Sequence, residues 1–175
     1  MKELYNFVKY AAVFVASILI ISMAAFAQTS ASTNVTVQAD VILGLTISVS
    51  PSALNYGYVV AGSTPPLVLP AKAGVPEFTI TGNPGSSVYF GWSGTISLTG
   101  PGTDLIFTPA FAGNNTGTQS GSTTISSGSS NTYLLNSPGG NYYVWLGGSL
   151  AAIPSNQTVG TYSGTLTLTV TYAGY

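Results

Sequence analysis

The side chains able to do chemistry are few: the carboxylates Glu3, Asp40, Glu77 and Asp104, the amines Lys2, Lys9 and Lys72, and no His, Arg or Cys in 175 residues. Without His and Cys the chain lacks the usual general base, the usual soft metal ligand and every thiol mechanism. Serine is plentiful, but no base stands near it in sequence to activate it. Asp40, Glu77 and Asp104 lie in separate segments and match neither a calcium-loop spacing nor a local carboxylate pair. We therefore expect no enzyme, no cofactor and no metal site. An isopeptide bond from Lys72, with Glu77 as the assisting acid, would require a buried amine. Pro70-Ala71-Lys72-Ala73-Gly74 reads instead as a loop.

Three of the seven charges, Lys2, Glu3 and Lys9, precede an apolar run over 11–27 that closes on Ala25-Phe26-Ala27. A small-x-small ending of this kind predicts a signal peptidase site, so residues 1–27 read as a cleavable signal helix. An uncleaved anchor is the second reading, at the short end of a span that needs roughly 17–25 apolar residues. The chain after residue 27 retains Asp40, Lys72, Glu77 and Asp104, a formal net charge of −2. No basic patch remains for nucleic acid or anionic lipid, and no membrane contact is expected after cleavage. With 45% apolar and 11% aromatic residues the chain can still build a core. Lacking Cys, it must be held by packing, backbone ladders or another chain.

The elements that build this core carry a period of two. From 35 to 49, Val35, Val37, Ala39, Val41, Leu43, Leu45, Ile47 and Val49 fall on one face, with polar residues opposite over most of the run. From 160 to 172, Tyr162, Leu166, Leu168, Val170 and Tyr172 alternate with Thr and Ser. Shorter runs at 54–61, 67–69, 78–81, 88–92, 95–98, 105–108, 133–135 and 142–146 are separated by Gly, Pro, Asn and Ser, as in Gly82-Asn83-Pro84-Gly85 and Gly100-Pro101-Gly102. The expected fold is all-β: an antiparallel β-sandwich over 44–175, with residues 113–132 as an exposed Gly/Ser/Thr loop or polar hairpin.

The first strand is too long for its domain. Fifteen residues extended at about 3.3 Å each span roughly 50 Å, whereas typical strands have about 5–6 residues. Either the chain bends near Ile42-Leu43-Gly44, or its first half leaves its own domain. An exposed row of Val35, Val37, Ala39, Val41 and Leu43 is an aggregation hazard in a monomer. Both difficulties vanish if residues 28–43 serve as a donor strand that completes the next copy's sheet. A head-to-tail contact that does not close generates a filament of copies of this chain.

Asn55-Tyr56-Gly57-Tyr58-Val59-Val60-Ala61-Gly62, Gly147-Gly148-Ser149-Leu150 and the run from Gly160 to Tyr172 resemble recurrent signatures of secreted pilin-like β-sandwich proteins. The composition is similar to that of archaeal surface-filament subunits, the threads and bundling pili. That resemblance implies an immunoglobulin-like or jelly-roll sandwich, an extracellular fibre joined by donor-strand exchange with the donor near 33–43, glycan decoration, and a role in adhesion or biofilm cohesion. The chain departs from bacterial chaperone–usher pilins in lacking Cys, so a dedicated chaperone is not implied. Asn34, Asn114 and Asn156 head Asn-x-Thr sequons and are candidate glycosylation sites. The competing reading is a monomeric secreted carbohydrate-binding or adhesin module, with cell-surface or glycan contacts through Tyr56, Tyr58, Tyr89, Trp92, Tyr142, Tyr143 and Trp145.

Overall fold

Alternation of apolar and polar residues between tight turns produces nine strands and no helix among the residues described by the computed structural model, which are Thr36, Gln38, Ala39 and 41–174. The signal segment, Asn34, Val35 and Val37 lie outside the described residues. The strands are β1 (Thr46–Ser50), β2 (Glu77–Thr81), β3 (Ser87–Gly91), β4 (Ile96–Leu98), β5 (Leu105–Asn114), β6 (Thr123–Thr124), β7 (Tyr133–Leu134), β8 (Asn141–Leu150) and β9 (Thr169–Tyr172). One sheet has the order β1-β2-β8-β5-β4, with β6 also on β5, and the second has the order β7-β3-β9. Every pairing is antiparallel.

Both sheets contribute to one hydrophobic cluster. Ile80, Phe107, Phe111, Val144, Leu146 and Leu150 come from the first sheet, Val88 and Phe90 from the second. Leu135 and Leu168, just outside β7 and β9, complete it. Phe90 lies at its centre, fully buried, with ring centroids 5.4 Å from Tyr133 and 5.8 Å from Tyr142. Each such side chain contributes roughly 1.5–3 kcal/mol by leaving water. The arrangement is consistent with a β-sandwich stabilised without disulfides.

β5 and β8 form the longest ladder and exceed their sequence-based bounds of 105–108 and 142–146. β5 continues through Pro109, which faces Gly148. Glycine at 147 and 148 lets neighbouring backbone approach: a Cβ at Gly147 would lie 2.3 Å from the Val68 carbonyl oxygen, and one at Gly148 would lie 2.4 Å from that of Thr108. The polar stretch 113–132 is exposed over most of its length, but it does not simply project. β6 pairs with β5, Ile125 is buried, and Gln119 Nε2 donates to the carbonyls of Pro70 and Lys72.

The two long strands expected at the ends are much shorter. Only Thr46–Ser50 of 35–49 and only Thr169–Tyr172 of 160–172 are strand among the described residues. Residues 54–61, also expected as strand, carry no ladder. The compact unit runs Val41–Tyr175, where the sequence places its start at 44, because Leu45 packs against the core and the Leu43 carbonyl accepts the Tyr172 hydroxyl at 2.6 Å.

Candidate functional site

The site is built from two extended stretches whose side chains are packed and whose backbones are not. After β1 and the cis Ser50–Pro51 bond, Leu54, Tyr56 and Val59 are half-buried against the core, while Asn55, Gly57, Tyr58 and Val60 are exposed. Tyr56 is seated by its hydroxyl, which donates to the Gly148 carbonyl at 2.5 Å, and by an edge contact with Phe107 at 6.1 Å. Burial raises its phenol pKa. In the second stretch Tyr162, Leu166, Leu168, Val170 and Tyr172 are buried or half-buried, and every intervening Thr or Ser is exposed, as the alternation predicts.

Neither 53–59 nor 164–168 has a ladder partner among the described residues. Among the described residues, the backbone of 53–59 makes no backbone–backbone hydrogen bond, and only the Gly57 N–H is taken locally, by Asn55 Oδ1 at 2.7 Å. Residues 164–168 make none either. They lie between the mutual Thr99–Ser163 bonds and the point where β9 joins β3. Unpaired extended backbone on an apolar face is the feature that natural sheets cover or complete.

The core is also incompletely covered at β1. Ile47 pairs with Ile80 and Val49 with Phe78, so both side chains lie on the core face of the first sheet. Yet Ile47 is 42% exposed and Val49 39%, while Ile80 is fully buried. β1 is an edge strand with one side unpaired among the described residues, and no strand lies beyond β9 in the second sheet.

The donor candidates fall on the other side of the balance. Val41 is 95% exposed, Leu43 59%, and Ala39 is exposed; residues 41–45 enter β1 without strand pairing or a turn. Of the sequons, Asn114 ends β5 with its side chain occupied: Oδ1 accepts from Thr116 N, Thr116 Oγ1 and Gly117 N, each at 3.1 Å, and Nδ2 donates to the Thr118 carbonyl at 2.7 Å. Asn156 lies exposed in a turn.

The residues singled out for chemistry are dispersed. Glu77 accepts from Trp145 Nε1 at 2.9 Å and Asp104 from the Ser97 hydroxyl at 2.6 Å, toward opposite edges of the first sheet. No cluster of three or more His, Cys, Asp or Glu occurs among the described residues. Lys72 is exposed in a turn, not buried as an isopeptide bond would need. The aromatic candidates form no single platform: Trp145 and Tyr142 are buried, Trp92 packs on Phe111 at 4.5 Å, and Tyr58 is fully exposed. Burial, with a smaller contribution from Tyr133, pushes the Tyr142 phenol up to about 12. A shallow depression of about 290 Å³ beside Tyr133, Asn115, Thr123 and Thr132 is open to solvent. Sequence reasoning read 54–61 and 160–172 as strands, whereas among these only Thr169–Tyr172 is strand. That the backbone beside Leu54, Tyr56, Val59, Leu166 and Leu168 lacks a ladder had no signal in that pattern.

The family model of the domain of unknown function DUF4402 matches residues 21–172. The chain belongs to this family. No curated protein matches it. The DUF4402 match covers residues 41–172 of the compact unit and assigns no activity.

Proposed function

We propose that this DUF4402 chain is a secreted structural subunit, exported through the signal at 1–27, that polymerises into an extracellular surface filament for adhesion or biofilm cohesion. Residues 28–43 of one copy add a β-strand to the next, with Val35, Val37, Ala39, Val41 and Leu43 as the apolar row. The observation that carries this reading is the pair of unpaired, apolar-faced stretches, 53–59 and 164–168, bordering a core left open at Ile47 and Val49.

Sheet order supports an immunoglobulin-like sandwich. That fold arranges its strands as A-B-E-D over C-F-G. Here β1-β2-β8-β5 has the first order, and β3-β9 corresponds to C-F with the G position unfilled among the described residues. A donated strand in that position would complete the layer and cover the exposed flank of the core. Four buried apolar side chains at roughly 1–3 kcal/mol each, with a run of ladder bonds, would make a stable joint without Cys.

Negative-stain microscopy of sheared cell-surface material, combined with deletion of residues 28–41, tests the proposal. Filaments containing the full chain, and soluble folded subunits from the deletion, are expected. A full chain found only as soluble monomer would overturn it and favour the binding-module reading.

A further inference from the structure

The depression at the end of β5 lies where the two sheets meet. β5 ends there at Asn114, β6 pairs with it through Gly113 and Thr123, and β7 of the second sheet forms the other wall with Tyr133 and Leu134. Gly113 lets the floor close on the core: a Cβ there would lie 2.6 Å from Ile125 Cδ1 and 2.9 Å from Tyr142 Cε1. The walls are tied together by the chain itself. Asn115 Nδ2 donates to the Leu134 carbonyl at 3.2 Å, from the β5 side to β7. The Tyr133 hydroxyl accepts from Ser126 N at 2.7 Å and donates to the Ser126 carbonyl at 3.3 Å. Walls already in place spare a ligand the cost of ordering them.

What faces this space carries no charge. Lys72, Glu77 and Asp104, the charged side chains among the described residues, do not line it. An ionic ligand would give up hydration there without meeting a counter-charge, whereas a neutral one with hydroxyls would not. Asn115 Oδ1 and the Thr132 hydroxyl make no hydrogen bond among the described residues, so one is open as an acceptor and the other as donor or acceptor. Leu134, 54% exposed, supplies an apolar surface next to them. Thr132 and Leu134 are two positions apart on an extended stretch, both exposed, and therefore point to the same side.

A side-chain amide and a hydroxyl beside a small apolar wall match a pyranose, which presents hydroxyls at its rim and C–H bonds on its face. We infer that this depression binds one uncharged pyranose unit of a glycan, with Asn115 Oδ1 and the Thr132 hydroxyl on its hydroxyls and Leu134 against its C–H face. The volume of about 290 Å³ is at the small end of the roughly 300–1,000 Å³ usual for ligand sites, which suits a single ring. The open mouth leaves the rest of an oligosaccharide in solvent. Each site is weak, because one ring against an open wall buries little surface. The site does not depend on polymerisation, although copies repeated along the proposed filament would add avidity.

Saturation-transfer NMR on the full chain tests this, with the methyl glycosides of glucose, galactose and mannose as neutral probes and glucuronate as the charged one. At least one neutral glycoside should give saturable transfer, strongest on the C–H protons of one ring face. Thr132→Val and Leu134→Ala should each weaken it several-fold while melting stays unchanged, because both side chains are exposed. No transfer to any neutral glycoside, equal binding in both variants, or tighter binding of glucuronate than of methyl glucoside would overturn the assignment. Asn114 at the rim heads a sequon, so the ligand is a glycan of the chain itself or one from outside. Binding that appears only after enzymatic removal of the chain's own glycans identifies the former, and binding without removal the latter. Both variants should still form filaments. Loss of filaments in either would mark this surface as a contact between copies and overturn the sugar site, whereas failure of the sugar titration alone leaves the filament reading intact.

Discussion

Val41 separates the stability of the subunit from the strength of the joint between subunits. Its side chain is 95% exposed, so Val41→Ala should move the isolated subunit's stability by no more than about 0.5 kcal/mol, the usual range for surface changes. In the proposed filament the same side chain would enter the core of the next copy. Removing two methyl groups there forfeits about 1.6 kcal/mol at roughly 0.8 kcal/mol per buried carbon, more than a tenfold rise in the dissociation constant of each joint. Val41→Thr keeps the shape and buries a hydroxyl, and should weaken the joint at least as much. Val144→Ala is the control: Val144 is fully buried, so about 2 kcal/mol should be lost from the subunit itself. The assay is the concentration at which half the protein sediments, alongside thermal unfolding of subunits held below that concentration. Unchanged sedimentation for Val41→Ala, or a melting loss comparable to that of Val144→Ala, would refute the reasoning.

Gly147→Ala places a Cβ 2.3 Å from the Val68 oxygen and 2.6 Å from Pro70 N, both backbone atoms; a loss of about 1–3 kcal/mol by denaturant titration is expected. Gln119→Ala removes two hydrogen bonds that tie the 113–132 stretch to Pro70 and Lys72, so limited proteolysis within that stretch should accelerate while the melting of the core changes little. Tyr142 predicts an alkaline limit. Its phenol pKa is pushed up to about 12 from an ordinary 10.0, so the folded state keeps a proton that the unfolded state loses above pH 10. Its stabilisation is full below about pH 10 and falls by on the order of 2 kcal/mol as pH rises through 12. Tyr142→Phe should flatten that slope in denaturant midpoints compared between about pH 9 and 11.5, and an unchanged slope would discount the assignment.

The elements whose two faces meet different environments were legible in the sequence. β2, β3, β4 and β7 fall within a residue or two of the runs at 78–81, 88–92, 95–98 and 133–135, because alternation and Gly/Pro turns both mark them. The extensions of β5 and β8 were hidden because Pro109 and Gly147-Gly148 read locally as strand breakers, and only the tertiary approach of Val68 and Thr108 explains them. The chemical residues were legible as a deficit: the pairing of Glu77 with Trp145 and of Asp104 with Ser97 needs distances that sequence spacing does not encode.

The ends of the domain show why alternation can be right while strand assignment fails. A period of two reports that one face of a chain is buried; it says nothing about which backbone lies alongside. Residues 162–172 bury every second side chain as expected, yet only Thr169–Tyr172 has a ladder partner. Residues 54–59 half-bury Leu54, Tyr56 and Val59 with no ladder partner, the alternation breaking at the exposed Tyr58. Val41 and Leu43 belong to the same alternating row as Ile47 and Val49, yet they have nothing to bury against, and Ile47 and Val49 are themselves incompletely covered. A row without a core at one end and a core without a row at the other are complementary deficits, and the strand proposed to come from a second copy would remove both. A monomeric reading must explain each deficit separately.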